Sequence, residues 1–256
     1  MNNSLSSVFR RAERRSRGFT LVEMMVAVTV TLFLIGGALT MLQSTRKTFA
    51  AQSQLAQLQD NERLALTFMA EVIESAGYTP SPQTYMNTTV LPVSGTTFTI
   101  AGQGVYGAYS ATAPGDTVTI RYGALLNDTI FNCAGSQNTA TNPYDVFVNK
   151  FWVDNATDPL NPVLKCTFTP TSTNTAQIVP LVNGVKNLTI LYGVKRSTTN
   201  TGSCADTYLN ASQMAAADWT EVCSVSIELT FVNPLNTLPI KVKRVVAVMN
   251  WAGVNT

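Results

Sequence analysis

Arg17-Gly18-Phe19-Thr20-Leu21-Val22-Glu23 opens a run of 24 residues, Phe19 to Leu42, that carries a single charge, the Glu23 carboxylate, and lies directly behind the basic segment Arg10 to Gly18. A helix of this length spans about 36 Å at about 1.5 Å per residue, enough to cross a hydrocarbon core of roughly 30 Å. Placing an ionised Glu in such a core costs on the order of 2 kcal/mol or more, so an anchor alone has no use for it and its presence implies a partner. A secretory signal peptide has a shorter apolar core and a small-residue exit, and neither pattern occurs here. A plain signal anchor fits the length and flanking charge, but leaves Gly18-Phe19-Thr20-Leu21-Val22-Glu23 at the boundary unexplained. The positive-inside tendency places Met1 to Gly18 in the cytoplasm and everything beyond about Leu42 outside it.

The helical pattern continues past the apolar run. Leu55, Leu58, Glu62, Ala65, Met69, Val72, Ile73 and Ala76 recur at spacings of three or four, while Gln52, Gln54, Gln57, Asp60, Arg63 and Glu71 fall on the other side. That periodicity predicts an amphipathic helix packed on a domain, stopped by Gly77 and then Pro80 and Pro82. No proline occurs between Phe19 and Ala76, so one helix is the simplest expectation, with Gly36-Gly37 its weakest point.

From about Thr88 the composition changes to Thr, Asn, Gly, Val and Pro, and short alternating runs appear. Val118, Ile120 and Tyr122 alternate with Thr117, Thr119 and Arg121; Cys223, Val225, Ile227, Leu229 and Phe231 alternate with Ser224, Ser226, Glu228 and Thr230. Both read as half-buried strands. Val146 to Val153, Val163 to Phe168, Lys186 to Val194 and Ile240 to Asn250 are further strand candidates, separated by turn-rich stretches such as Asp154 to Pro162 and Ser197 to Gly202. Ser212 to Asp218 reads as a short helix capped by Ser212. The expected architecture is α+β, an antiparallel sheet burying one face against the outer half of the long helix.

The chain has 256 residues and a formal charge of +2. Residues 1–18 hold five Arg and one Glu, so the remaining body sits at −2 and offers no broad basic surface, which argues against nucleic acid as its main ligand. Cys133, Cys166, Cys204 and Cys223 all lie beyond the apolar run, where an even count reads as two disulfides. Three pairings are open; joining neighbours, Cys133 with Cys166 and Cys204 with Cys223, costs the least loop-closure entropy.

The absence of His excludes Ser-His-Asp and Cys-His catalysis and His-ligated zinc, and the cysteine gaps of 33, 38 and 19 residues do not suit a thiolate metal site. No phosphate-binding or nucleotide fingerprint occurs, so neither an enzyme nor a cofactor is expected. Asp154, Asp158 and the carbonyls near Asn155 have donor types that suit calcium, but Asp-Asn-Ala-Thr-Asp-Pro reads first as an ordinary turn, and no metal is expected. Lys241, Lys243 and Arg244 form a short basic group whose plainer role is to keep a strand edge from aggregating.

The text from Arg17 to Glu23 resembles the leader and first turn of type IV prepilins and of type II secretion pseudopilins. Downstream, the chain length, Cys133-Ala134-Gly135 after a strand, and Cys166 ahead of another are similar to PilW-type minor pilins. The resemblance implies that a prepilin peptidase cuts between Gly18 and Phe19 and methylates the new amino terminus at Phe19, while Glu23 serves subunit assembly. It divides the chain into a leader (1–18), a membrane and filament-core helix (19–45), an amphipathic helix (46–77) and an extracytoplasmic β-rich domain (78–256). Implied partners are major and minor pilin subunits, the peptidase and an inner-membrane assembly platform. The implied location is the inner membrane with the C-terminal domain in the periplasm, and then the pilus. Thr40 stands where many major pilins have proline, which favours a minor subunit that primes or caps assembly. The alternatives are a minor pseudopilin of a type II secretion system and a tip-located adhesin or DNA-binding pilin.

Overall fold

A computed structural model describes residues 18–80, 84, 86–139, 143–196, 204–236 and 238–249. Most of the leader, Pro82, the stretch Ser197 to Gly202 and Asn250 lie outside the described residues. The chain forms two units, Met1–Ser53 and Gln54–Thr256.

One helix, α1 (Leu21–Glu74, 54 residues), runs from the first unit into the second. It passes through Gly36 and Gly37 without interruption. Its exposure follows the sequence pattern: residues 18–50 are exposed throughout, whereas Leu58, Ala65, Met69, Ala70, Val72 and Ile73 are buried. Gly77 takes φ 73°, a left-handed conformation open to glycine at little cost, and so ends the helix. Its N–H then donates to the Arg121 carbonyl at 2.9 Å, which fastens the end of the helix to the sheet.

In the second unit the strands form two antiparallel sheets, where the alternating runs alone suggest one. The first is a five-stranded meander of β1 (Val105–Ala108), β2 (Thr117–Leu125), β3 (Tyr144–Asp154), β4 (Val163–Pro170) and β5 (Gln177–Asn183). The second has the order β7-β6-β8-β9, from β6 (Val185–Val194), β7 (Thr207–Leu209), β8 (Ser224–Phe231) and β9 (Ile240–Ala247). Gly184, at φ 83°, is the single residue between β5 and β6 and lets the chain turn from one sheet into the other. Asp116 ties the sheets together: its N–H donates to Leu188 O at 2.8 Å, and its carboxylate accepts from Ile190 N at 2.8 Å and Ser110 N at 2.9 Å.

Met69 and Ile73 of α1, Ile120 and Tyr122 of β2, Phe151 of β3, Leu164 of β4 and Ile190 and Ile227 of the second sheet belong to one buried cluster. The fold is therefore α+β and pilin-like, a long N-terminal helix whose outer part packs against antiparallel sheets. Aromatic pairs stiffen this core, with Tyr122, Phe147 and Phe168 in successive edge-to-face contacts at 5.9 and 5.1 Å.

Two local expectations change. Residues 212–218 do not form one helix capped by Ser212; they contribute to two 3-10 turns, Ala211–Gln213 and Ala216–Thr220. The cap is Asn210, whose side chain accepts from Ser212 N and Gln213 N, while Gln213 Oε1 accepts from Asn210 N. Arg121 and the alternate residues of β8 are not on open faces either. Ser224, Ser226 and Thr230 are buried, because β8 is the inner strand between β6 and β9.

Candidate functional site

Gly18, Phe19 and Thr20 precede the first helical turn, and Phe19 is 77% exposed, so the Gly18–Phe19 peptide bond sits in non-helical chain ahead of α1. Thr20 starts the helix: its Oγ1 accepts the Glu23 N–H at 3.3 Å, and its carbonyl accepts the Met24 N–H at 3.2 Å. Glu23 falls in the first turn, where the positive end of the helix dipole favours a carboxylate. Around it Leu21, Val22, Met24 and Val26 are all exposed, which leaves one anionic group on an otherwise apolar surface.

The hydroxyls of this segment do not disturb that surface. Thr29, Thr31 and Thr40 donate to the carbonyls of Val26 (2.9 Å), Ala27 (2.7 Å) and Gly37 (2.8 Å). Each polar atom is thus satisfied inside the helix, as an apolar environment requires. The helix is long and apolar enough to cross a membrane. A monomeric soluble protein rarely exposes apolar surface of this extent, so the segment is built to be covered by lipid or by other helices.

The four cysteines form two disulfides. Cys133, in the segment after β2, is joined to Cys166 of β4, with Cα atoms 6.3 Å apart; Cys204 is joined to Cys223, the residue before β8, 6.0 Å apart. Asn132 shapes the turn at the first, its Oδ1 accepting from Ala134 N and Ser136 N. Asn149 Oδ1 accepts the Cys133 N–H at 2.9 Å.

Asp154 and Asp158 organise a turn. Asp154 accepts from Ala156 N, Thr157 N, Thr157 Oγ1 and Lys165 Nζ, the last at 2.6 Å; Asp158 accepts from Leu160 N at 2.9 Å. The Lys165 ammonium, helped by Thr157, holds the Asp154 carboxyl well below its ordinary value against the opposing effect of burial. Among the described residues no group of three or more Cys, Asp or Glu side chains is placed to hold a metal ion. Lys241 of the basic group is paired with Glu228 across β8 and β9 at 2.9 Å.

The pattern of β2 does not reveal the role of Arg121. The residue is 2% exposed, and its guanidinium donates to four carbonyls, Gln103 and Pro92 at 2.6 Å and Leu91 and Ile100 at 3.3 Å, while stacking 4.1 Å from the Phe98 ring. Burial pushes it down to about 10. Arg121 thereby pins the segment after α1, including the one-turn helix α2 (Asn87–Val90), against the sheet. The only sequence signal is a cation amid threonines in a strand.

A long exposed apolar helix with one acidic residue in its first turn, continued by a half packed on antiparallel sheets, defines a pilin-like protein. Residues 14–39 match the prokaryotic N-terminal methylation motif, and residues 150–243 match the family type IV pilus-assembly protein W, PilW. No curated protein sequence matches the chain. The second match runs from the middle of β3 into β9, taking in part of the first sheet, nearly all of the second and the Cys204–Cys223 bridge, and the first covers the segment around Gly18, Phe19 and Glu23. The chain is accordingly similar to type IV prepilins at its N-terminal helix and, over residues 150–243, to the type IV pilus-assembly protein W family.

Proposed function

We propose that the chain is a minor pilin of a type IV pilus that primes or caps filament assembly. The observation that carries this reading is Glu23, the one ionisable side chain in an exposed helix surface made for an apolar environment. In the proposed sequence of events the protein waits in the inner membrane with its sheets in the periplasm. The peptidase removes residues 1–18 at the Gly18–Phe19 bond and methylates Phe19. Residues 19–45 then enter a bundle of like helices, where Glu23 meets the positive amino terminus of Phe19 on a neighbouring subunit. That pairing offsets the burial of both charges and fixes axial register. Residues 46–77 join this core helix to the domain at 78–256. The partners are other major and minor pilin subunits, the peptidase and the inner-membrane assembly platform. The match to a pilus-assembly family supports a pilus over a secretion filament.

Replacing Glu23 by Ala tests the reading. The variant is expected to insert, lose its leader and remain in the membrane, since a buried charge has been removed, yet to be missing from sheared filaments or to reduce their number. Normal incorporation of Glu23→Ala contradicts the assigned role.

A further inference from the structure

The face of the five-stranded sheet turned away from the core carries an open cleft of about 770 Å³, walled on one side by residues 89–98. Strand register sets its floor. Tyr106, Thr119, Lys150 and Thr167 are successive cross-strand partners on β1 to β4, and Arg121, Val148 and Thr169 form the next row on that face. The volume falls within the roughly 300–1,000 Å³ usual for small-molecule sites.

Its charge is one-sided. Arg121 and Lys150 line the cleft, and none of the described residues that line it is acidic. The donors of Arg121 go to carbonyls, so its charge has no anionic partner in an ion pair among the described residues, and neither has that of Lys150. The remaining lining is rich in hydroxyls: Thr117, Thr119 and Thr169 are on the floor with Thr167, whose hydroxyl already accepts from Trp152 Nε1, while the Thr171 hydroxyl at the rim is held by Asp145. Each threonine hydroxyl can both donate and accept.

These features select among anions. An extended acidic peptide binds best where a strand offers free backbone groups, but β2, β3 and β4 are paired on both sides. A nucleic acid needs many cations along its phosphates, and this cleft holds two. A sugar ring bearing a carboxylate needs one cation and several hydroxyl partners. We propose that the cleft binds an anionic saccharide of the uronic-acid type, with the carboxylate at Lys150 under the field of Arg121 and the ring hydroxyls on the threonine rows. The proposal rests on the cleft alone and stands apart from the assembly role.

Calorimetric titration of the full mature chain in mild detergent tests it, with tetragalacturonate as probe and maltotetraose, a tetraglutamate peptide and a short single-stranded DNA as comparators. Tetragalacturonate is expected to bind, and neutral maltotetraose to bind at least tenfold more weakly. Lys150→Gln is expected to weaken the uronate by about tenfold, the loss of one charge-assisted hydrogen bond. Thr169→Val should weaken it several-fold, and Lys241→Gln, on β9, should leave it unchanged; melting curves check that each variant is folded. Absence of uronate binding, equal binding of maltotetraose, preference for the peptide or the DNA, or wild-type affinity in folded Lys150→Gln each overturns the proposal.

Discussion

Replacing Arg121 by Ala should cost the Gln54–Thr256 unit about 3 kcal/mol. The guanidinium makes two short hydrogen bonds, to Gln103 O and Pro92 O at 2.6 Å, and two long ones at 3.3 Å to Leu91 O and Ile100 O. A hydrogen bond from a charged donor contributes about 1.5–3 kcal/mol, so the short pair at the lower figure contributes about 3 kcal/mol. Stacking on Phe98 and the packed stem add about 1 kcal/mol. Against this stands the burial of a cation with no anionic partner, visible in the guanidinium being pushed down to about 10. The penalty vanishes in the variant and offsets a part of the loss comparable to the long bonds and the stacking. For a domain of this size about 3 kcal/mol lowers the melting temperature by roughly 6–12 °C. Urea denaturation of the mature chain in mild detergent, followed by near-ultraviolet circular dichroism, measures the effect. Arg121→Lys should recover less than half, because a single ammonium cannot reach carbonyls arranged for a planar fork. Limited proteolysis should cut the variants first between residues 87 and 104. A loss below about 1 kcal/mol in Arg121→Ala, or full stability in Arg121→Lys, refutes the reasoning.

The disulfides close loops of 33 and 19 residues. The chain-entropy model gives about 3.7 and 3.2 kcal/mol, so the double variant Cys133→Ala/Cys166→Ala should lose somewhat more stability than Cys204→Ala/Cys223→Ala, and equilibrium unfolding that shows no loss in either contradicts it. The Lys165 ion pair makes a pH-dependent contribution, since Asp154 is depressed from its ordinary value of 3.8. That contribution is complete above about pH 3.8 and is lost as pH falls further toward the depressed value, so Asp154→Asn should be less stable than wild type at neutral pH and the gap should close in acid. Denaturation curves that keep a constant gap from pH 7 to pH 2 contradict the assignment.

Much of α1 is legible in the sequence because its signals are local. The charge-poor run, the spacing of Leu58, Ala65, Met69, Val72 and Ile73, and Gly77 as a stop each report on residues one or two helical turns apart. The strands with long alternation, β2, β3, β4, β6, β8 and β9, are legible for the same reason. β1, β5 and β7 are not: β1 and β7 have four and three residues, and β5 carries Pro180 and lies on an edge with mostly exposed side chains. The division into two sheets turns on Gly184 and Asp116, whose partners lie outside any local window. Arg121 is the clearest case. Alternation assigns it to the outer face of β2 correctly, but that face is covered by carbonyls from residues 91, 92, 100 and 103, which no period in the strand itself encodes. The cleft beside it arises from register across four strands and is equally invisible to a linear reading.

Quantitative mass spectrometry of sheared pili tests the central claim most directly. If the chain is a processed minor pilin, the filament fraction contains its N-terminal peptide beginning at Phe19, with one methyl group on the amino nitrogen and none of residues 1–18 attached, at a small fraction of the amount of the major subunit. Absence of the chain from filaments, or a chain there that still carries its leader, contradicts the account.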